Sequence, residues 1–352
     1  MKSYYHHLYK LLLCLLPFVV SCKHEQLEIY TEHVSYRPGG DFIKNNYDLS
    51  MFAAAIEKAG LMEELNGPGP FTILAPSNQA FYELGLQRPS DFDRLNKDSL
   101  RFMMQYHVLN RRLNTRDIPV KGVDVRYATL ADGKEIYVSN ETNGPLYNRY
   151  HFNGSLSTPA DVTITNGTLH VLNKVMKYEK GTVRDWLEKR KDYSIITAAF
   201  KKFGFWKLLA EDGPFTVFAP DNAAFEKSGI DIAAIEKMDT SAFYGNRLFG
   251  VYIQRVRNYF ISDFIVFKTN NNEYSLSDYI YGDNYYLTMQ AEEAWPKKDL
   301  LFSVMVRTAK DYPYEVLPKA DGCELARRDN LTDNGIVQPM VTLAVQPKDA
   351  TK

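Results

Sequence analysis

GPFTILAPSNQAF at residues 69–81 and GPFTVFAPDNAAF at residues 213–225 are nearly the same words, 144 positions apart in a chain of 352 residues. Laid against itself at that offset without a gap, residues 48–81 match residues 192–225 at 16 of 34 positions. A period this long belongs to a domain and not to a solenoid unit, so the chain carries a tandem duplication. The residue types inside the block read as helix, strand, cap and helix. In SMFAAAIEKAGLMEEL (50–65), Phe52, Ala55, Ile56, Ala59 and Leu65 recur at helical spacing, and Gly60 caps or breaks the first helix. Ile196, Ala199, Phe200, Phe203 and Leu209 repeat that pattern. The run from Phe71 and Thr72 to Ala75 predicts a short buried strand stopped by Pro76, and Phe215, Thr216, Ala219 and Pro220 predict its copy. Ser77 and Asp221 stand at N-cap positions before Asn78 and Asn222, which puts Phe81 and Phe225 on the inward face of a new helix. Nothing in the block is a nucleophile, an acid–base pair or a phosphate cradle.

A second block closes the first domain. TITNGTLHVLNKVM (163–176) alternates apolar residues around an Asn166-Gly167 hairpin turn and runs into a strand containing His170. Upstream, SLRFMMQYHVLN predicts a helix ending near Tyr106 and His107. The second copy departs from this. LFGVYIQRV puts Tyr252 where His107 would fall, TDNGIVQPMVTLAV has Gln338 in place of His170, and Pro339 is expected to disturb the strand. The offset there has grown from 144 to 168, and the extra length is expected near residues 268–300.

Hydrophobic content of 45% with 24% charged residues is ordinary for a globular protein, and the length fits two domains of roughly 130 to 170 residues. A formal charge of -1 gives no electrostatic reason to expect nucleic acid. The N-terminus, MKSYYHHLYKLLLCLLPFVVSC, has an apolar run from Leu11 to Val20 that is too short to span a bilayer. Residues 1–21 therefore read as a lipoprotein signal peptide, because Val19-Val20-Ser21-Cys22 resembles a bacterial lipobox with Cys22 as the lipidated residue. Lipid on Cys22 would hold the chain on a membrane through a tether of residues 22–40. With Cys14 and Cys22 so assigned, Cys323 is left without a disulfide partner and reads as a buried structural thiol. In a bacterial chain the sequons at Asn140, Asn153, Asn166 and Asn330 read as turn-forming asparagines.

GPFTILAPSNQAF, YHVL and NGTLHVLNKVM, in that order and spacing, resemble the first block, the tyrosine-histidine motif and the second block of the fasciclin domain family. The resemblance implies an α+β fold of two tandem domains, at 41–178 and 181–346, each a wedge-shaped β-sandwich of about seven strands packed with several helices. It implies binding and adhesion, no catalytic chemistry and no cofactor. It also makes Tyr106 and His107 candidates for a partner-binding surface.

His107 and His170 invite a metal reading, but no third ligand stands at a recognisable spacing, so no metal is expected. The tyrosine-rich stretch after residue 268, with Tyr279, Tyr281, Tyr285, Tyr286 and Trp295, could anchor a protein or stack sugar rings. DNLTDNG (329–335) looks superficially like a calcium loop, yet Leu331 occupies a ligand position and no closing Glu follows. The leading expectation is a lipid-anchored, non-enzymatic adhesion protein of the outer membrane that meets a protein or glycan partner at the cell surface. Two alternatives stand beside it. One is an accessory subunit of a starch-utilisation-type importer, the association implied by similar Bacteroidota lipoproteins; the other is an envelope hydrolase, for which no catalytic residues stand out.

Overall fold

The computed structural model describes residues 36–143, 147–280, 283–294, 299–317 and 319–352. Cys22, Tyr281, Trp295, the signal peptide and most of the tether lie outside the described residues. Domain 1 is built on β1 (Phe71–Pro76), β2 (Val108–Leu109), β3 (Val125–Ala128), β4 (Glu135–Asn143), β5 (Tyr147–Phe152), β6 (Ser155–Leu156), β7 (Val162–Ile164) and β8 (Gly167–Leu172). After β9 (Lys177–Glu179), domain 2 repeats the series with β10 (Phe215–Pro220), β11 (Ile253–Gln254), β12 (Leu276–Tyr279), β13 (Tyr286–Ala294), β14 (Asp299–Arg307), β15 (Ala320–Asp321), β16 (Asn330–Thr332) and β17 (Gly335–Met340). One sheet of domain 1 has the order β2-β1-β8-β7 and the other β3-β4-β5-β6; domain 2 repeats them as β11-β10-β17-β16 and β12-β13-β14-β15.

The two repeated blocks meet as parallel strands. β1 lies on β8 with Phe71 opposite Gly167, and β10 lies on β17 with Phe215 opposite Gly335. All six residues of β1 and of β10 are buried, as fits a strand covered on both faces. A side chain on Gly167 would put its Cβ 2.0 Å from the Phe71 carbonyl oxygen, which explains why glycine opens β8 directly after Asn166. Ser77 and Asp221 cap the helices Asn78–Glu83 and Asn222–Glu226 by accepting from the Ala80 and Ala224 amides. The helices Ser50–Lys58 and Ser194–Lys202 bury Phe52, Ala55 and Ile56 and Ile196, Ala199 and Phe200, the stripes read from the sequence.

The polar residues that the copies share make the same bonds twice. Asn78 Oδ1 accepts from the Met51 amide at 2.8 Å and Asn222 Oδ1 from the Ile195 amide at 3.1 Å, so each asparagine ties its helix to the preceding one. Thr72 Oγ1 donates to the Arg111 carbonyl and accepts from the Leu113 amide, at 2.6 and 2.8 Å; Thr216 does the same between Arg257 and Tyr259. Asn166 Nδ2 donates to the Leu65 and Gly67 carbonyls at 2.8 and 2.7 Å while its Oδ1 accepts from Gly39. Asn334 repeats that hub on Leu209, Glu211 and Val183. The shared words thus encode tertiary hydrogen bonds.

Three expectations need correction. Residues 268–300 do not hold most of the extra length, because β12 and β13 pair in the register of β3 and β4, with Leu276 opposite Met289 as Val125 is opposite Val138. The larger addition follows β14, where Val304 and its partner Ala320 stand 16 positions apart against 3 for Phe152 and Ser155. Pro339 does not disturb β17, which stays paired to β10 through Met340. On its other side β16 reaches only Val337, so the missing amide falls beyond that ladder. Of the four sequon asparagines, Asn140 and Asn330 sit inside strands and are buried, since each serves the packing between elements.

Replacing Asn334 by Ala strands the Leu209 and Glu211 carbonyls and should cost about 2–4 kcal/mol in urea denaturation, with Asn166→Ala costing a similar amount. A loss under about 0.5 kcal/mol at both sites would show that the hubs do not hold the fold.

Candidate functional site

The tyrosine-histidine motif faces inward. Tyr106 is 1% and His107 0% exposed, which corrects the expectation that they form a partner-binding surface. The Tyr106 hydroxyl donates to the Glu135 carbonyl at 2.8 Å and accepts from Asn153 Nδ2 at 2.7 Å, and burial raises its pKa well above the ordinary phenol value. His107 Nε2 accepts from the Met176 amide at 3.0 Å, so Nδ1 carries the proton and donates to the Met103 carbonyl at 2.8 Å. Burial pushes the His107 pKa down to about 4, keeping the ring neutral. His170 Nδ1 accepts from the Asp161 amide at 3.3 Å and Nε2 donates to the Leu113 carbonyl at 2.9 Å; burial lowers its pKa too.

Domain 2 changes both histidines, keeping both bonds of His170 and the accepting bond of His107. Tyr252 precedes β11 as His107 precedes β2, and its hydroxyl accepts from the Ala344 amide at 2.9 Å. Gln338 Nε2 donates to the Tyr259 carbonyl at 2.8 Å and Oε1 accepts from the Asp329 amide at 2.9 Å, the two roles His170 fills on Leu113 and Asp161. Asp161 and Asp329 hold the same left-handed turn, with φ of 55° and 58°.

The carboxylate of Asp329, unlike that of Asp161, faces the other domain. It forms an ion pair with Lys174, which follows β8 of domain 1, and both side chains are almost fully buried. Asp329 Oδ1 also accepts from the Ile261 amide at 3.0 Å and from Gln338 Nε2 at 2.7 Å. Its pKa stays below the ordinary carboxylate value although burial, the largest influence, opposes this; the Lys174 charge is the main counterweight. Ile261 starts the helix Ile261–Asn271, which is buried on nearly every side because β4 of domain 1 packs on it as well as β13. Asn270 bonds the β4 backbone, accepting from the Thr142 amide and donating to the Asn140 carbonyl, both at 2.8 Å. Ser139 Oγ reaches Asp263 Oδ1 at 3.1 Å. At the other end of the junction β9 pairs in parallel with β16, Leu331 opposite Tyr178. Residues Tyr36–Lys352 accordingly form one compact unit.

Beside this junction lies a cleft of about 550 Å³. The helix Lys97–Tyr106 of domain 1 contributes Phe102, β9 contributes Lys177, Tyr178 and Glu179, and Trp186, Lys189 and Arg190 come from the first helix of domain 2, Val183–Glu188, and the residues that follow it. Glu179 accepts from Lys189 and Arg190 at 2.9 and 2.7 Å. The Lys177 ammonium has a neutral acceptor, the Ala326 carbonyl at 2.7 Å.

Tyr279 closes β12 and Tyr286 opens β13, so these two of the tyrosine-rich stretch belong to sheet strands. Tyr285 lies under the Arg247 guanidinium, 3.7 Å from its ring centre, and Arg247 forks onto Asp283 at 2.7 and 2.8 Å. Tyr274 is exposed. Cys323 is buried, and that burial pushes its thiol up to about 11. Among the described residues no three His, Cys, Asp or Glu side chains are placed to hold a metal ion. Lys174, Asp329, Asn270 and Lys177 were not singled out from the sequence. The one local signal was a lysine inside the apolar run HVLNKVM.

Comparison with known proteins agrees with this architecture. The family model described as Fasciclin domain matches residues 47–178 and 191–242. Periostin of Homo sapiens is 30% identical over 173 residues, 47% of this chain and 19% of that protein. Transforming growth factor-beta-induced protein ig-h3 of Sus scrofa is 30% identical over 168 residues, 47% of this chain and 23% of that protein. Protein sll1483 of Synechocystis is 31% identical over 137 residues, 37% of this chain and 68% of that one. The chain matches about a fifth of the length of the first two relatives. Among solved structures, a FAS1 domain pair from the insect cell adhesion molecule Fasciclin I aligns with a TM-score of 0.38 at 20% identity, covering 86% of this chain and 98% of that one.

Because Gln338 performs the work of His170, the variant His170→Gln should stay within about 1 kcal/mol of wild type, whereas His170→Ala should lose about 2–4 kcal/mol in the same urea titration. Equal losses would show that ring packing, not the bond pair, matters there. Lys174→Met leaves a buried carboxylate without its cation and should cost about 3–5 kcal/mol, most of it recovered in Lys174→Met/Asp329→Asn. A single-variant loss below about 1 kcal/mol would show that the ion pair does not hold the domains together.

Proposed function

Since this chain belongs to the fasciclin domain family, we propose that it is a non-enzymatic binding or adhesion protein of the cell envelope, held at the outer membrane by lipid on Cys22. The observation that carries this reading is the fate of the shared polar residues. Thr72, Asn78, Asn166 and their copies, with His107 and His170, are spent on hydrogen bonds between segments of the same domain. The duplication therefore supplies a scaffold, and binding falls to the surface that the joined domains create. Anchoring rests on the lipobox-like Val19-Val20-Ser21-Cys22 after a short apolar run. No helix among the described residues is long and apolar enough to cross a membrane.

Labelling of producing cells with palmitate should mark the wild-type chain and not Cys22→Ala, and surface cross-linking on intact cells should trap an envelope or extracellular partner with the wild type only. Constant recovery of a β-barrel importer as that partner would favour the accessory-subunit reading. Absence of any trapped partner, or substrate turnover abolished by one polar substitution, would overturn the proposal.

A further inference from the structure

The junction cleft exists only because the domains are joined, and its lining is chemically lopsided. Four cations, Lys177, Lys180, Lys189 and Arg190, face two carboxylates, Asp98 and Glu179. Glu179 is already held by Lys189 and Arg190, and Lys180 lies 3.3 Å from Asp132 outside the cleft. Lys177 is different. Its ammonium donates to the Ala326 carbonyl, and the nearby carboxylate of Asp329 is taken by Lys174. Burial first, and the Lys174 charge second, bring its pKa down to about 7. Asp329 offsets this only in part because it is already paired, and an incoming carboxylate would supply the remaining negative charge.

Two further features choose among anions. Lys177, Tyr178 and Glu179 are β9, the end strand of its five-stranded sheet, so the cleft is lined by a strand edge of the kind to which an extended peptide adds. Phe102, Met103, Tyr178 and Leu331 give apolar area for the side chains that alternate with acidic ones. A cavity of about 600 Å³ in domain 2 is lined mainly by apolar residues such as Phe205, Leu208, Val251 and Ile280, with Arg255 as its charged side chain.

We propose that the junction cleft binds an acidic segment of a partner protein in extended form, with one carboxylate on Lys177 and the peptide backbone along β9. The proposal rests on the reading of the chain as a binding protein and names the chemistry of its partner.

Fluorescence anisotropy with the purified chain decides it, using as probe a fluorescein-labelled peptide of alternating Glu and Leu. Its Gln–Leu counterpart and trigalacturonate, an acidic sugar, serve as competitors. The Glu–Leu peptide should bind, with at least a tenfold loss in Lys177→Met and a threefold change or less in Lys177→Arg, while the Gln–Leu peptide and trigalacturonate compete poorly. Dimethyl-lysine NMR gives a second reading that needs no variant, because the bound peptide should move the Lys177 titration midpoint upward by about one pH unit. Equal binding to a folded Lys177→Met chain, an unmoved midpoint, or capture of trigalacturonate in place of the peptide would overturn the proposal. A partner trapped on cells with no peptide binding here would sink this inference alone. A cross-linking experiment that traps nothing would remove the binding reading beneath it.

Discussion

The buried ion pair between Lys174 and Asp329 is the contact on which the two-domain arrangement turns. A carboxylate and an ammonium taken out of water are tolerable only when each compensates the other and the remaining lone pairs are bonded. Asp329 meets that condition through Lys174, the Ile261 amide and Gln338. Each partner comes from a different place: the segment that follows the closing strand of domain 1, the start of the shared helix, and the closing strand of domain 2. One carboxylate thus fixes the start of the helix Ile261–Asn271, and the helix carries Asn270 onto β4.

Duplication followed by divergence explains how the contact arose on an existing turn. In domain 1 the corresponding Asp161 has the same left-handed backbone and caps Thr115 in its own domain, accepting from the Thr115 amide at 2.9 Å. In domain 2 that cap has become the start of an eleven-residue helix, and the carboxylate has gained Lys174. The histidine changes follow the same logic. A glutamine amide reproduces both the donor and the acceptor of one imidazole and a tyrosine hydroxyl the acceptor of the other, so much of the network survives while its residue types change. Neutral, buried histidines of this kind look like ligand candidates in a sequence and act as rivets in the fold.

How much was legible depended on the range of the cause. The repeated strands, the caps at Ser77 and Asp221, and the hairpin at Asn166-Gly167 follow from local patterning, and they appear where the sequence puts them. The family motifs added the α+β sandwich. What failed to show was decided by distant partners. Tyr106 and His107 look polar enough for a surface, but Asn153 and Met176, far along the chain, close over them. The helix ISDFIVFKTNN has no polar stripe because both domains cover it, so it reads as an irregular apolar run. Lys174 and Asp329 are 155 positions apart, and no local pattern announces that a charge will be buried against another. The displaced insertion has the same origin, since strand register, not composition, decides which residues are extra.

A cleft made by two domains serves a partner only if the domains keep their relation, so the pair must behave as one body. Differential scanning calorimetry of the chain tests this most directly. A single endotherm with calorimetric and van't Hoff enthalpies that agree is expected. Two separable transitions, or a calorimetric enthalpy about twice the van't Hoff value, would mean that the domains unfold independently and that the ion pair does not join them.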